Sequence, residues 1–282
     1  MGHALRLPAL AAVAAVLCMA AHVPLAAASP SLEDVVERLD RYLAAYEPRL
    51  SAVVADEEYE QWLSGFVLSG PRPMRILQSE FLFTRLPNGA PWTGFRDTVT
   101  VDGHPVRDRD AGLQQLVADG SDGALEQAAR IVAENARYNL GDGFAFRTIN
   151  TPTLTLDFFH PTHRSQVSFR KRGEETIDGT RVWKIDFVER PPSMIRTPAG
   201  REQKTRGSVW VNPLSGAIAR TLLNVVISPT SEAKITVEYR DQAALGFAAP
   251  YEMRESYRPG VEGRARYAHF RKFETSVRIL EK

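Results

Sequence analysis

Cysteine is almost missing from this chain: of 282 residues only Cys18 is one, and it falls in a run that reads as an export leader. With the leader removed no thiol remains, which excludes disulfides, cysteine-ligated zinc and a cysteine nucleophile together. Stability must then come from the core alone. An excess of charge is missing too, since 35 Lys and Arg face 34 Asp and Glu. Loss of the leader removes only Arg6. Nucleic-acid binders normally carry a basic face, so no nucleic-acid partner is expected. There is no Gly-x-Ser-x-Gly elbow, no His-Glu-x-x-His and no glycine-rich phosphate loop. These absences point away from an enzyme and from a bound cofactor, with an unfamiliar active site of scattered residues kept as an alternative.

Long apolar runs are confined to the N-terminus. Residues 1–28 divide as a cleavable signal peptide does, with Arg6 as the positive charge, an apolar stretch from Leu7 to Leu25, and Ala26, Ala27 and Ala28 before the expected cut. Pro8, His22 and Pro24 interrupt the stretch, which argues against a retained membrane anchor. A lipid-bearing Cys18 would need a small residue before it, and Leu17 stands there instead. Residues 29–282 are expected to form one domain with no transmembrane segment, exported to the periplasm or cell envelope.

What is present is mostly strand pattern. Ser31 and Asp34 are spaced as a variant capping box, and Leu32, Val35, Val36, Leu39, Tyr42, Leu43 and Tyr46 follow at helical spacing until Pro48. Strands are expected over 50–62, 76–86 and 95–101, with a Gly- and Pro-containing loop over 63–75. A helix is expected over 124–138, and a shorter one after Thr151 and Pro152, with Thr151 as its cap and Pro161 as its end. Beyond that the chain reads as hairpins. Asp178-Gly179 turns between 167–177 and 182–188, and residues 212–216 turn between 207–212 and 217–227. Alternating strands follow around Ile235, Val237 and Tyr239 and around Met253, and a last one covers 264–273. Strands joined by short turns are antiparallel neighbours, so this half predicts a meander of about six strands. The fold class expected is α+β: a curled antiparallel sheet, or half-barrel, with helices covering its concave face.

Gly207-Ser208-Val209-Trp210-Val211-Asn212-Pro213-Leu214-Ser215-Gly216, with the hairpin around Ile177 to Trp183, resembles the periplasmic lipoprotein-carrier superfamily, which includes the LolA and LolB carriers and the RseB-type regulators. The resemblance is one of layout and implies a half-barrel around an apolar cavity able to hold an acyl chain, with no catalytic set. The cavity-lining candidates are Trp183, Ile185, Phe187, Val209, Val211, Ile235, Val237, Tyr239 and Met253. They would otherwise be packed core.

Other clusters read more plainly. Asp157, His160 and His163 have metal-like spacing, but Pro161 breaks the helix between the histidines, so no metal site is expected. Asp56, Glu57, Glu58 and Glu60 read as a solvated strand face. Arg170, Lys171 and Arg172, and Arg264, Arg266, Arg271 and Lys272, read as solvated strand charges, with lipid-headgroup contact as the sharper alternative. The expected role is a binding or carrier protein for a hydrophobic ligand, a lipid or an acylated protein. An interaction domain without a small ligand is the alternative.

Overall fold

The structure, a computed structural model, describes residues 29–51, 53–63, 74–85, 92–106, 135–140, 149–197, 199–258 and 260–272. The leader, most of the expected 63–75 loop and most of the expected 124–138 helix lie outside the described residues.

Helix α1 spans Leu32–Leu50. Its start is the expected box: the Asp34 amide donates to Ser31 Oγ at 3.1 Å, and the Ser31 amide donates to Asp34 Oδ2 at 2.8 Å. Val35, Val36, Leu39, Leu43, Tyr46 and Leu50 form its buried stripe. Leu50 therefore belongs to the helix and not to the first strand, and Pro48 sits inside the last turn instead of ending it.

Eleven strands follow: β1 (Val53–Leu63), β2 (Arg75–Arg85), β3 (Trp92–Val101), β4 (His104–Pro105), β5 (Val167–Ile177), β6 (Thr180–Glu189), β7 (Lys204–Val211), β8 (Ile218–Ser228), β9 (Ser231–Gln242), β10 (Phe247–Arg258) and β11 (Val261–Lys272). They make one 11-stranded antiparallel sheet in the order β4-β3-β2-β1-β11-β10-β9-β8-β7-β6-β5. The meander is thus β5 to β11, one strand longer than expected. It joins the N-terminal strands because β11 returns alongside β1, with Tyr59 opposite Ala265 and Glu57 opposite Tyr267.

The sheet curls, and a short segment inside it shows how far. Leu154–Phe159 is a 3₁₀ helix between β4 and β5. The Trp92 amide on β3 donates to Asp157 Oδ2 at 2.9 Å, while the Phe159 ring stacks on Phe169 of β5 with centroids 5.6 Å apart. β3 and β5 lie near opposite ends of the strand order. Laid flat at the usual strand spacing they would be roughly 40 Å apart. A 3₁₀ helix of this length spans about 12 Å, so the two margins of the sheet have come round toward each other without closing into a barrel. The cap of this segment is Thr153, which makes no side-chain cap bond, and not Thr151 as expected. Thr151 contributes its carbonyl, which accepts from the Leu154 amide at 3.2 Å.

α1 closes one end of the curl. Arg38 Nη1 donates to the Pro213 carbonyl at 2.6 Å in the β7–β8 turn, and Arg49 Nη2 donates to the Gly246 carbonyl at 3.0 Å in the β9–β10 turn. Gly216 has φ 78°, and an added Cβ there would stand 2.2 Å from the Arg38 carbonyl oxygen. Only glycine permits both that backbone and that approach. Among the described residues no helix is long and apolar enough to cross a membrane.

Candidate functional site on the inner face

Strand alternation gives the sheet an inner and an outer face. On β6 and β7, Trp183 opposes Val211 and Ile185 opposes Val209; on β9 and β10, Val237 opposes Met253. All nine cavity-lining candidates are buried and belong to one apolar cluster with α1. The structure brings them together on the inner face. The 3₁₀ segment lies against that face: Phe158 stacks on Phe187 at 5.1 Å, Phe159 meets Phe187 edge-on at 5.2 Å, and Tyr239 donates its hydroxyl to the Pro152 carbonyl at 3.0 Å. At the margin the Lys171 ammonium sits 3.2 Å from the Trp183 ring centroid.

The other half of the inner face, on β1, β2, β3, β10 and β11, is polar in a way the sequence reading missed. Glu57 is 2% exposed. It is not part of a solvated acidic face, because Val53, Ala55, Glu57, Tyr59 and Gln61 all point inward and are buried. Arg96 reaches it from β3 with a fork of two bonds, Nε to Oε2 and Nη2 to Oε1, the latter 2.7 Å. The guanidinium also lies 4.7 Å from the Tyr59 ring centroid. Burial works against charge on Arg96, but the Glu57 carboxylate outweighs it and holds the guanidinium protonated. Burial, followed by the charge of Glu57, pushes the Tyr267 hydroxyl well above the usual phenol range.

A second carboxylate, Glu255 on β10, accepts from the Tyr59 hydroxyl and, at 3.0 Å, from the Tyr257 hydroxyl. Asn150 Nδ2 donates to the Tyr59 hydroxyl at 3.5 Å. Gly263 makes the space, since a Cβ there would meet Glu255 Oε1 at 2.7 Å. Toward the end away from α1, Gln61 Nε2 donates to Asn139 Oδ1 at 3.2 Å and Arg75 Nη1 donates to the Tyr138 carbonyl at 2.6 Å. Carboxylates held by an arginine, phenols and amides have the chemistry of hydrogen-bond recognition. The signal for Glu57 was present in the two-residue period of β1, whereas Arg96 arrives from two strands away across β2 and Glu255 reaches this seam only through the long-range pairing of β1 with β11.

Asp56, Glu58 and Glu60 do face outward, each with a cation beside it. Asp56 meets His269 at 2.9 Å and Arg271 at 2.8 Å, Glu58 meets Arg266 at 3.5 Å, and Glu60 accepts from Arg264 Nε at 2.9 Å. Asp157, expected at a surface or helix end, is instead fully buried against β3. His160 has its Nδ1 2.8 Å from Thr162 Oγ1.

No protein-family model and no curated protein matches the chain. Solved structures do. One is a putative outer membrane lipoprotein-sorting protein domain from Vibrio parahaemolyticus, with 11% identity over 88% of this chain and 95% of that one and a TM-score of 0.42. Another is a DUF1329 family protein from Desulfovibrio piger, with 11% identity over 85% and 90% and a TM-score of 0.37. A third is a LolA superfamily protein from Nitrosomonas europaea, with 10% identity over 90% and 98% and a TM-score of 0.37.

Proposed function

We propose that this is an exported, non-catalytic binding protein of the cell envelope that holds a hydrophobic ligand, a lipid or the acyl group of a lipidated protein, within its curled sheet. The observation that carries the reading is that, among the described residues, the inner face of β5 and β6 is covered by the short 3₁₀ segment Leu154–Phe159, beside α1 in the same apolar cluster. Such a segment has poor internal hydrogen bonding, and it is held to the sheet by the Phe158 and Phe159 rings, by Asp157 on the Trp92 amide and by the Tyr239 hydroxyl on the Pro152 carbonyl. An acyl chain offers the apolar wall equivalent contacts if the segment withdraws, and Trp183, Ile185, Phe187, Val209, Val211, Ile235, Val237, Tyr239 and Met253 would line its path. The seam around Arg96 and Glu255 would orient a polar head.

The test is to purify the protein from its native envelope and analyse it for bound lipid by mass spectrometry, with a fluorescent fatty acid as probe in vitro. Stoichiometric lipid and saturable probe binding support the reading. Ligand-free protein that takes up no probe favours the second reading, an interaction scaffold, for which the burial of all nine candidates in the folded chain already speaks. In that case crosslinking in the envelope should capture a reproducible partner.

A further inference from the structure

Charge is unevenly shared on the outer wall of the sheet. Over β1, β2, β10 and β11 the arginines stand beside carboxylates: Arg264 with Glu60, Arg266 with Glu58 and Glu252, Arg271 with Asp56 and Glu80, and Arg254 with Glu252. Over β7 to β9 the pattern is confined to one end, where Glu238 meets Arg220 at 3.2 Å and Arg240 at 3.7 Å. Lys204, Arg206 and Lys234 are exposed, and among the described residues none of them forms an ion pair. They project from one face, because Val188 opposes Arg206, Arg206 opposes Asn224, Asn224 opposes Lys234, and Lys204 opposes Val226. Strand geometry sets Arg206 and Lys234 about 10 Å apart and Lys204 and Arg206 about 7 Å apart. Arg170 on β5 adds a further exposed cation; the acid opposite it, Asp186, is already engaged by Arg172 at 2.5 Å and Ser208 at 2.7 Å. The nearest remaining acid on this face is Glu232, half-buried beside Lys234 in sequence.

We infer that this wall docks the protein on an anionic bilayer surface. The cations are spread as a grid over a convex sheet, with small polar or apolar side chains between them, so they offer no concave pocket for a single phosphate group. A smeared negative surface matches such a grid. An acidic protein matches it less well, because protein interfaces are built around aromatic and apolar anchors with lysine depleted at the centre. Here Val188, 51% exposed, is the one large exposed apolar side chain among the described residues of this wall. The inference stands whether or not the inner face holds a ligand.

The probe is vesicles of phosphatidylcholine, alone or mixed with phosphatidylglycerol, sedimented with the purified protein. Binding should require phosphatidylglycerol and vanish at about 1 M salt, where the screening length is about 3 Å. The variant Lys204→Gln/Arg206→Gln/Lys234→Gln should weaken partitioning on the order of a hundredfold, while Arg41→Gln/Arg181→Gln/Lys272→Gln, which removes equal charge elsewhere, should hold it within about threefold. Equal loss in both variants, or binding indifferent to salt, overturns the inference. No binding to anionic vesicles at low salt also overturns it and assigns the patch to an acidic protein.

Discussion

The side chains that most shape the inner face are the buried ions. Glu57 and Arg96 are 0% and 10% exposed in their side chains, and each is tolerable only because the other neutralises it. Truncating one leaves an uncompensated charge in a low-dielectric site. Arg96→Met is expected to cost about 3–5 kcal/mol in urea unfolding, and the double variant Glu57→Leu/Arg96→Met should recover most of that loss. If both variants lose the same amount, the two ions do not act as a coupled pair. The contrast with the neighbouring acids is instructive. Asp56, Glu58 and Glu60 occupy the alternate positions of β1 and face solvent and cross-strand cations. Composition made all four look alike; the period of the strand separates them, and the cation that makes Glu57 affordable comes from β3.

Helix α1 depends on its capped start and on its contact with the β7–β8 turn. Ser31→Ala should lower stability by about 1 kcal/mol, since the Asp34 amide then loses its acceptor. Asp34 itself is held below its ordinary value of 3.8, first by the Ser31 amide and then by the Ser31 hydroxyl. The fold thus favours the ionised form, so this contribution is complete above pH 3.8 and is lost as pH falls through the lowered folded value. Asp34→Asn should accordingly flatten that part of the acid limb in a stability–pH profile. At the other contact of α1, Gly216→Ala should cost about 3 kcal/mol, because the turn needs a positive φ and the Arg38 backbone leaves no room for a methyl group. A chemical melt of the variant within about 1 kcal/mol of the wild type would mean that the helix shifts freely over the β7–β8 turn. The capping box and the apolar stripe were legible from spacing alone. The extent of the helix was not, because Leu50 is drawn into it by burial against the sheet.

For the whole molecule the decisive relation is between the curled sheet and the segment inside it. Phe158→Ala removes a fully buried ring stacked on Phe187 and should destabilise the fold by about 3–5 kcal/mol. Under the ligand-binding reading the same variant should bind a fluorescent fatty acid more tightly, since less must be displaced from the wall. Lower stability with no gain in probe binding would place the segment in a permanent core. The strand pairings that build this architecture span the chain, with β1 beside β11 and the 3₁₀ segment bridging β3 to β5.

The amino-acid pattern alone determined that the later half is a series of hairpins, that α1 starts at Ser31, and that Trp183, Ile185, Phe187, Val209, Val211, Ile235, Val237, Tyr239 and Met253 share a face. Each of these follows from local periods and turn residues, which depend on neighbours a few positions away. Only the tertiary structure decided that β11 closes on β1, that Glu57, Arg96, Glu255 and the tyrosines meet in one seam, and that Asp157 turns inward to β3. Those outcomes depend on which distant strands become adjacent, and a period of two residues carries no information about the partner across the ladder.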